Sequence, residues 1–302
     1  MKLAVGLFAF ISVMALARAG EKTKPNPAPT FPADIRVERG VKFLPAPRKP
    51  LADLYMPLQM PKGAKLPAML IIHGGGWAGG IRDAAREINI GTTLARNGCV
   101  GMSIDYMLSD RRQAVWPTNL WDCKLAVRWL RKNADRLGID PERIGVIGGS
   151  AGGHLAAMVA LTGPQDGLEP PAPGGDISTA VKCCVDLYGI ADIGTYHDVS
   201  MLGKTFAEAP ELYRLASPVT YVRSNSPPFL ILHGTADTTV KLAQSELLAE
   251  CLKQAGVEHE LIVIPGAPHT FHLQPPQRDL RPVVLKFLDT HLKSASPALG
   301  RK

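Results

Sequence analysis

Cysteine is scarce in this 302-residue chain, and the five present (Cys99, Cys123, Cys183, Cys184, Cys251) form no metal-ligand pair and no small-scaffold spacing. That pattern excludes a zinc finger or ribbon and a small domain stapled by disulfides. Cys99 and Cys183-Cys184 fall on predicted core strands, and Cys123 and Cys251 on predicted helices, where a thiol serves as a small hydrophobe. Beyond Leu16 there is no second apolar run long enough to span a bilayer. No Gly-Lys-Ser/Thr follows the Gly74-Gly75-Gly76 run, and no Gly-x-Gly-x-x-Gly with an acidic partner is present, which argues against the common nucleotide-binding loops. Although the formal net charge is +7, no basic patch is interleaved with aromatics, which argues against nucleic acid. The positive excess gathers in the N-terminal segment, at Lys22, Lys24, Arg36, Arg39, Lys42, Arg48 and Lys49, and at the extreme C-terminus. It reads as a solvated surface. No internal repeat is visible.

What is present is ordinary globular material, 46% hydrophobic and 20% charged, in a length sufficient for one large α/β domain or two small ones. Residues 1–19 differ: Lys2, an apolar run from Leu3 to Leu16, then Ala17-Arg18-Ala19. This is the pattern of a secretory signal peptide, too short for a membrane span, with no cysteine behind it to carry a lipid anchor. The mature chain is therefore expected to be exported, to the periplasm or beyond, without stable membrane insertion. Export permits one disulfide, whose pairing the spacing leaves open. Residues 20–33, with Pro25, Pro27, Pro29 and Pro32, read as a proline-rich leader. The folded domain is expected over 34–294, with a tail at 295–302.

Strands are expected at 35–43, 51–55, 67–72, 100–106, 144–148, 181–188, 229–232 and 260–264, and helices at 82–96, 116–137, 153–160, 240–255 and 279–291. The run Pro67 to Ile72 is apolar without alternation, the mark of a strand covered on both faces. Strands alternating with helices imply a three-layer α/β fold, a mostly parallel sheet of eight strands with helices on both faces and ligands at the carboxyl ends. Between 190 and 226 the rhythm breaks. That stretch reads as a small helical insertion over the strand ends.

Gly148-Gly149-Ser150-Ala151-Gly152 sits between a predicted strand and a predicted helix. The string is short enough to arise by chance in a chain with 29 glycines, so its strand-before, helix-after setting carries the weight. In that setting it is a nucleophile elbow: the serine at the apex is exposed, and residues two places either side must be small. A neutral hydroxyl needs a base, and the base needs an orienting carboxylate. Among eight histidines, His269 lies in a loop leaving the carboxyl end of the last strand, and His272 is its competitor. His73 and His233 end strands before glycine and are expected to bond loop backbone. His154, four residues into the elbow helix, is expected to pack in the core. Asp237 follows another strand end, and the chain order Ser150, Asp237, His269 is that of this hydrolase arrangement. Asp186 and Asp192 are alternatives for the acid, and a helix cap near Thr239 is the other reading of Asp237. The glycines of His73-Gly74-Gly75-Gly76 allow close backbone approach, so the amides of Gly75, Gly76 and Ala151 are candidates for an oxyanion hole. Trp77, Tyr106, Trp116, Tyr196 and Phe271 are pocket or core.

With these residues in place, the chain resembles the α/β-hydrolases of the esterase/lipase group. More narrowly, it is similar to the bacterial carbohydrate-esterase branch labelled BD-FAE-like, of feruloyl and acetyl-xylan esterases. The carrying motifs are His73-Gly74-Gly75-Gly76-Trp77, Gly148 to Leu155, Tyr188-Gly189, Ser217-Pro218, His233 to Asp237 and Gly266 to Phe271. The likeness runs from about Leu51 to Leu292; Pro268 departs from it, where glycine is commoner. It implies hydrolysis of carboxylic esters, on small molecules or polysaccharides, with neither metal nor cofactor. Three rivals are a peptidase, for whose propeller or cap there is no room, a lipase with a broad apolar lid, and a binding protein that has lost catalysis. Oligomeric state is not legible.

Overall fold

A computed structural model describes residues 29–60, 63, 65–110, 113–171, 176–196 and 198–292. The expected signal peptide, most of the proline-rich leader, the tail and His197 lie outside the described residues.

Eight strands form one sheet: β1 (Ile35–Lys42), β2 (Leu51–Pro57), β3 (Leu66–Ile72), β4 (Val100–Ile104), β5 (Ile139–Gly149), β6 (Cys184–Leu187), β7 (Phe229–Gly234) and β8 (His259–Ile264). Their spatial order is β1-β2-β4-β3-β5-β6-β7-β8. β1 and β2 join antiparallel, as do β2 and β4, and every pairing from β4 onward is parallel. Strand alternation explains the two cores. On β3, Ala68, Leu70 and Ile72 face one cluster with Leu120, Leu155 and Leu248, while Met69 and Ile71 face the other with Ile90, Val284 and Leu288. Helices α2 (Thr118–Lys132), α4 (Ala151–Leu161) and α6 (Ala243–Gln254) therefore cover one face, and α1 (Ala85–Arg96) and α7 (Arg281–Leu292) the other. All of β3 and β4 is buried, which is why neither shows a polar alternation in sequence.

Boundaries moved where side chains compete with backbone. The helix expected over 116–137 divides at Asn133, whose amide nitrogen donates to the Trp129 carbonyl at 2.8 Å, and α3 (Ala134–Leu137) follows before a left-handed Gly138. The helix expected from Arg82 begins three residues later, because Arg82 bonds Asp53 and Asp105 from the preceding loop. β6 begins three residues later than expected, at Cys184, and ends one residue earlier, where Tyr188 leaves the strand at φ 44°. None of the five cysteines, all of them among the described residues, is joined in a disulfide; Cys183 and Cys184 face opposite cores.

The 190–226 stretch holds single turns at Ile193–Thr195, Ser200–Leu202 and Pro218–Tyr221, and a short helix α5 (Pro210–Leu215). It is laced to the scaffold: the Met201 carbonyl accepts from the amides of Val115 and Trp116, and Gln244 Oε1 of α6 accepts from the amides of Ala191 and Asp192, both at 2.8 Å. No helix among the described residues is long and apolar enough to cross a membrane.

Candidate active site

At the carboxyl end of β5 the chain turns into α4 within one residue, Ser150, held at φ 58°, ψ −124°. The turn is this tight because nothing stands between the backbones. A Cβ on Gly148 would lie 2.2 Å from the Gly152 carbonyl oxygen, and one on Gly152 would lie 2.1 Å from that of Ile72. Only glycine fits either place. The Ser150 amide donates to Leu187 of β6 at 2.9 Å, which pins the apex to the neighbouring strand.

Two loops meet that apex. The loop after β8 brings His269, whose Nε2 stands 3.0 Å from Ser150 Oγ and whose Nδ1 stands 2.6 Å from Asp237 Oδ2. Asp237, from the loop after β7, is fully buried in its side chain. Its Oδ1 accepts from the amides of Thr239 and Val240, both at 2.9 Å. The two sequence readings of Asp237, orienting acid and cap, thus coexist: one oxygen faces the imidazole and the other the turn before α6. An ionised Asp237 accepts only, so His269 Nδ1 carries the proton and Nε2 is left to accept from the serine hydroxyl. His233 also approaches Asp237, at 3.3 Å, but burial holds its imidazole below the ordinary range and its nitrogens bond Ser245 Oγ and the Val240 carbonyl.

Facing Ser150, Gly75 (φ 118°), Gly76 (φ 60°) and Trp77 (φ 57°) run in left-handed backbone. Gly75 is irreplaceable on space as well, since a Cβ there would lie 2.3 Å from the Gly79 carbonyl oxygen. Among the described residues, no backbone carbonyl takes the amides of Gly75, Gly76 or Ala151. All three residues line a cavity of about 670 Å³ together with Ser150, His269 and Tyr196. Ala151 opens α4, so its amide is one of the helix's unpaired N-terminal donors.

The remaining histidines sort by contact. His73 Nδ1 donates to the Gly74 carbonyl at 2.7 Å, and its ring stacks on Tyr106. His154 is buried, its Nδ1 accepting from Trp77 Nε1 at 3.1 Å and its Nε2 donating to the Ala216 carbonyl at 2.8 Å; burial pushes its imidazole down to about 4. It therefore stays neutral and anchors the glycine loop to the insertion. His272 lines the cavity, but its Nδ1 accepts from the Gln274 amide. His259 bonds the Val257 carbonyl and His291 stands near Glu258. Of the aromatic candidates, Trp77 and Tyr196 line the cavity, whereas Tyr106 and Phe271 are buried.

Asp192, also an alternative acid, accepts from the Gly194 amide. Asp186 lies under the elbow, with Oδ1 accepting from the Gly189 amide at 2.9 Å. Burial pushes its carboxyl up to about 7 from 3.8, against a lowering by that amide. The unfolded chain ionises first, so between those two values the folded state holds more protons and stability falls as pH rises. The loss levels off above the folded value, on the order of 4 kcal/mol in all. Asp186→Asn removes the charge, so its Tm relative to the parent is expected to climb between pH 5 and pH 8. Thermal melts at both values check this; an equal difference at both would contradict the buried charge.

Three residues given no role from the sequence complete the site. Arg86 Nη1 donates to Tyr188 Oη at 3.1 Å, and its Nε and Nη2 donate to Glu87 Oε1 at 2.8 and 2.6 Å. Tyr188 Oη in turn donates to the Phe271 carbonyl at 2.6 Å, two residues beyond His269, and its ring meets the His269 ring edge-on at 4.9 Å. Sequence gave only the Tyr188-Gly189 pair as a signal; neighbours on a helix such as Arg86 and Glu87 do not ordinarily face each other.

A family model described as BD-FAE matches residues 52–252, a span that holds Gly75, Gly76, Ser150, Ala151 and Asp237 and stops before His269. Esterase LipQ of Mycobacterium tuberculosis (strain ATCC 25618 / H37Rv) is 32% identical over 245 residues, covering 77% of this chain and 57% of LipQ. The chain thus spans a little over half the length of that curated relative. Thermogutta terrifontis esterase 2, in a structure phosphonylated by cyclosarin, superposes with a TM-score of 0.71 at 28% identity, over 87% of this chain and 94% of that one. An acetyl ester-xyloside bifunctional hydrolase from Caldicellulosiruptor lactoaceticus gives 0.69 at 26% identity, over 81% of this chain and 89% of that one. The fold is that of the α/β-hydrolase esterases.

Proposed function

The chain belongs to the BD-FAE family, and from that premise we propose that it is a carboxylic ester hydrolase working by two-step acyl transfer. Ser150 Oγ attacks the ester carbonyl as its proton passes to His269 Nε2. The developing oxyanion is held by the amides of Gly75, Gly76 and Ala151, aided by the N-terminus of α4. His269 then hands the proton to the departing alcohol, and in the second half activates water to release the acid. Asp237 stays ionised and fixes the tautomer. The observation that carries this reading is the bonded chain Asp237–His269–Ser150, at 2.6 and 3.0 Å, opening on a cavity lined by Gly75, Gly76 and Ala151, whose amides no carbonyl among the described residues takes. Short acyl, acetyl or feruloyl esters on carbohydrates are the substrates we favour, in line with the family and with the acetyl ester-xyloside hydrolase that the fold matches. The apolar leader at residues 1–19 supports export.

The test is covalent. Incubation with paraoxon is expected to add one phosphoryl group to the Ser150 peptide, found by mass spectrometry, and to stop hydrolysis of p-nitrophenyl acetate in step. Turnover that survives full labelling, or no labelling at all, would reject the mechanism.

Tyr188 is a positioning residue in this scheme. Tyr188→Phe keeps the ring against His269 and deletes the donor to the Phe271 carbonyl, loosening the loop that carries the base. The expected result is a fall in kcat of about 10- to 100-fold, since ångström misplacement costs that much, with KM nearly constant. A change in KM alone would argue that Tyr188 shapes the pocket instead.

A further inference from the structure

A smaller cavity, of about 280 Å³, shares no residue with the catalytic one. Leu125, Arg128, Trp129 and Lys132 line it from α2, at the i, i+3, i+4, i+7 spacing that puts four side chains on one helix face. The rest of its wall comes from Lys42, the last residue of β1, from Phe43 and Leu44 behind it, and from Ile177. Phe43 and Leu44 are buried, and Leu125 and Trp129 pack half-buried against the same core. Arg136 lies over the Trp129 ring at 5.3 Å and steadies the indole. Arg128 ties in the remaining side, its Nε donating to the Ile177 carbonyl at 2.9 Å and its Nη2 to Glu169 Oε2 at 2.7 Å. The walls are thus packed and bonded before any ligand arrives, which lowers the ordering cost of binding.

The charge around this cavity is out of balance. Glu169 is shared by two buried cations, Lys124 Nζ at 2.6 Å and Arg128 Nη2 at 2.7 Å, so one positive charge behind the wall goes uncompensated. Lys42 and Lys132 are exposed, and neither has a carboxylate partner among the described residues. Against these four cations stand Glu169 and, beside Ile177 in the chain, the exposed Asp176. Edge strands often carry lysine, and helix ends carry basic residues. Neither habit accounts for two ammonium groups lining one cavity floored by Phe43, Leu125 and Trp129.

That combination selects a ligand. A cation is repelled. Phosphate would meet the ammonium groups but leave the apolar floor in water, and a neutral apolar molecule would do the reverse. A monocarboxylate with an apolar body satisfies both: its head accepts from the lysines while its body covers the floor. Ester cleavage makes such a molecule from one that lacks the charge, so the cavity can tell the released acid from the uncut ester.

We propose that the cavity lined by α2 and the end of β1 is a binding site for the apolar monocarboxylic acid released at Ser150, separate from the catalytic cavity. That identity rests on the ester-hydrolase reading, and the experiment separates the two. The full chain is first blocked at Ser150 with paraoxon, and 3-phenylpropanoate is then titrated in by calorimetry. Binding is expected, and it should weaken about 10-fold or more in Lys42→Glu/Lys132→Glu and when the acid is replaced by its uncharged analogue, 3-phenylpropanamide. Should the reversal variant not fold, Lys42→Gln/Lys132→Gln takes its place, with weaker binding again expected. Absent binding, an amide that binds as tightly as the acid, or an affinity unchanged in the folded variant overturns the site while ester hydrolysis stands. If paraoxon labels nothing, the ester-hydrolase reading fails. The same titration of the unblocked chain then decides the cavity: binding weakened in the variant supports it, and equal or absent binding overturns it.

Discussion

Ser150→Ala is expected to lower kcat for p-nitrophenyl acetate by at least about 10⁴-fold, the largest effect any single change should produce. Without the hydroxyl there is no atom for His269 to activate, and the only substitute is water admitted to the cavity. What survives is the set of amides at Gly75, Gly76 and Ala151, which can still polarise a bound carbonyl. Alanine keeps the Cβ already present at φ 58°, so the elbow strain is unchanged and the circular dichroism melt should nearly overlay the parent's. Activity within tenfold of the parent, with the fold intact, would sink the nucleophile assignment.

Asp237→Asn is expected to cost about 10⁴-fold in kcat with a much smaller change in stability. The reason lies in how the two oxygens are divided. Asparagine's own oxygen can keep the amides of Thr239 and Val240, and its amide nitrogen then faces His269 Nδ1. A donor at that place makes Nδ1 the acceptor, moves the ring proton to Nε2 and turns a donor toward Ser150, so the base is lost while the turn survives. Asp237→Ala removes the cap as well and should add about 1–3 kcal/mol of destabilisation from unpaired buried groups. Rates on p-nitrophenyl acetate and urea unfolding of both variants check the division. Equal stability losses in Asn and Ala would contradict it.

The two variants also mark where pattern ran out. The elbow was legible because its chemistry is local: a strained apex needs glycine at 148 and 152, and those letters stand beside the serine. Asp237 and His269 were legible because both follow strand ends, and in a parallel sheet all such ends share one edge. His154 was correctly placed in the core, yet nothing in the letters named Trp77 and Ala216 as its partners. The roles of Arg86 and Tyr188 escaped because their bonds join residues 102 and 83 positions apart along the chain, and that of Glu87 because it bonds a neighbour that a regular helix would turn away, all through rotamers that packing selects. The break at Asn133 was missed for a smaller reason: one side-chain amide competed with the helix's own ladder, and periodicity counts only apolar positions.

Strand and helix order, the buried middle of the sheet and the residue types able to do acyl chemistry followed from composition and spacing, since these depend on neighbours within a turn or two. Which oxygen of Asp237 meets His269 and which tyrosine holds the loop that carries it were decided by packing alone. Distances of a few ångströms between remote side chains are set by the whole core at once, and no short run of residues encodes them.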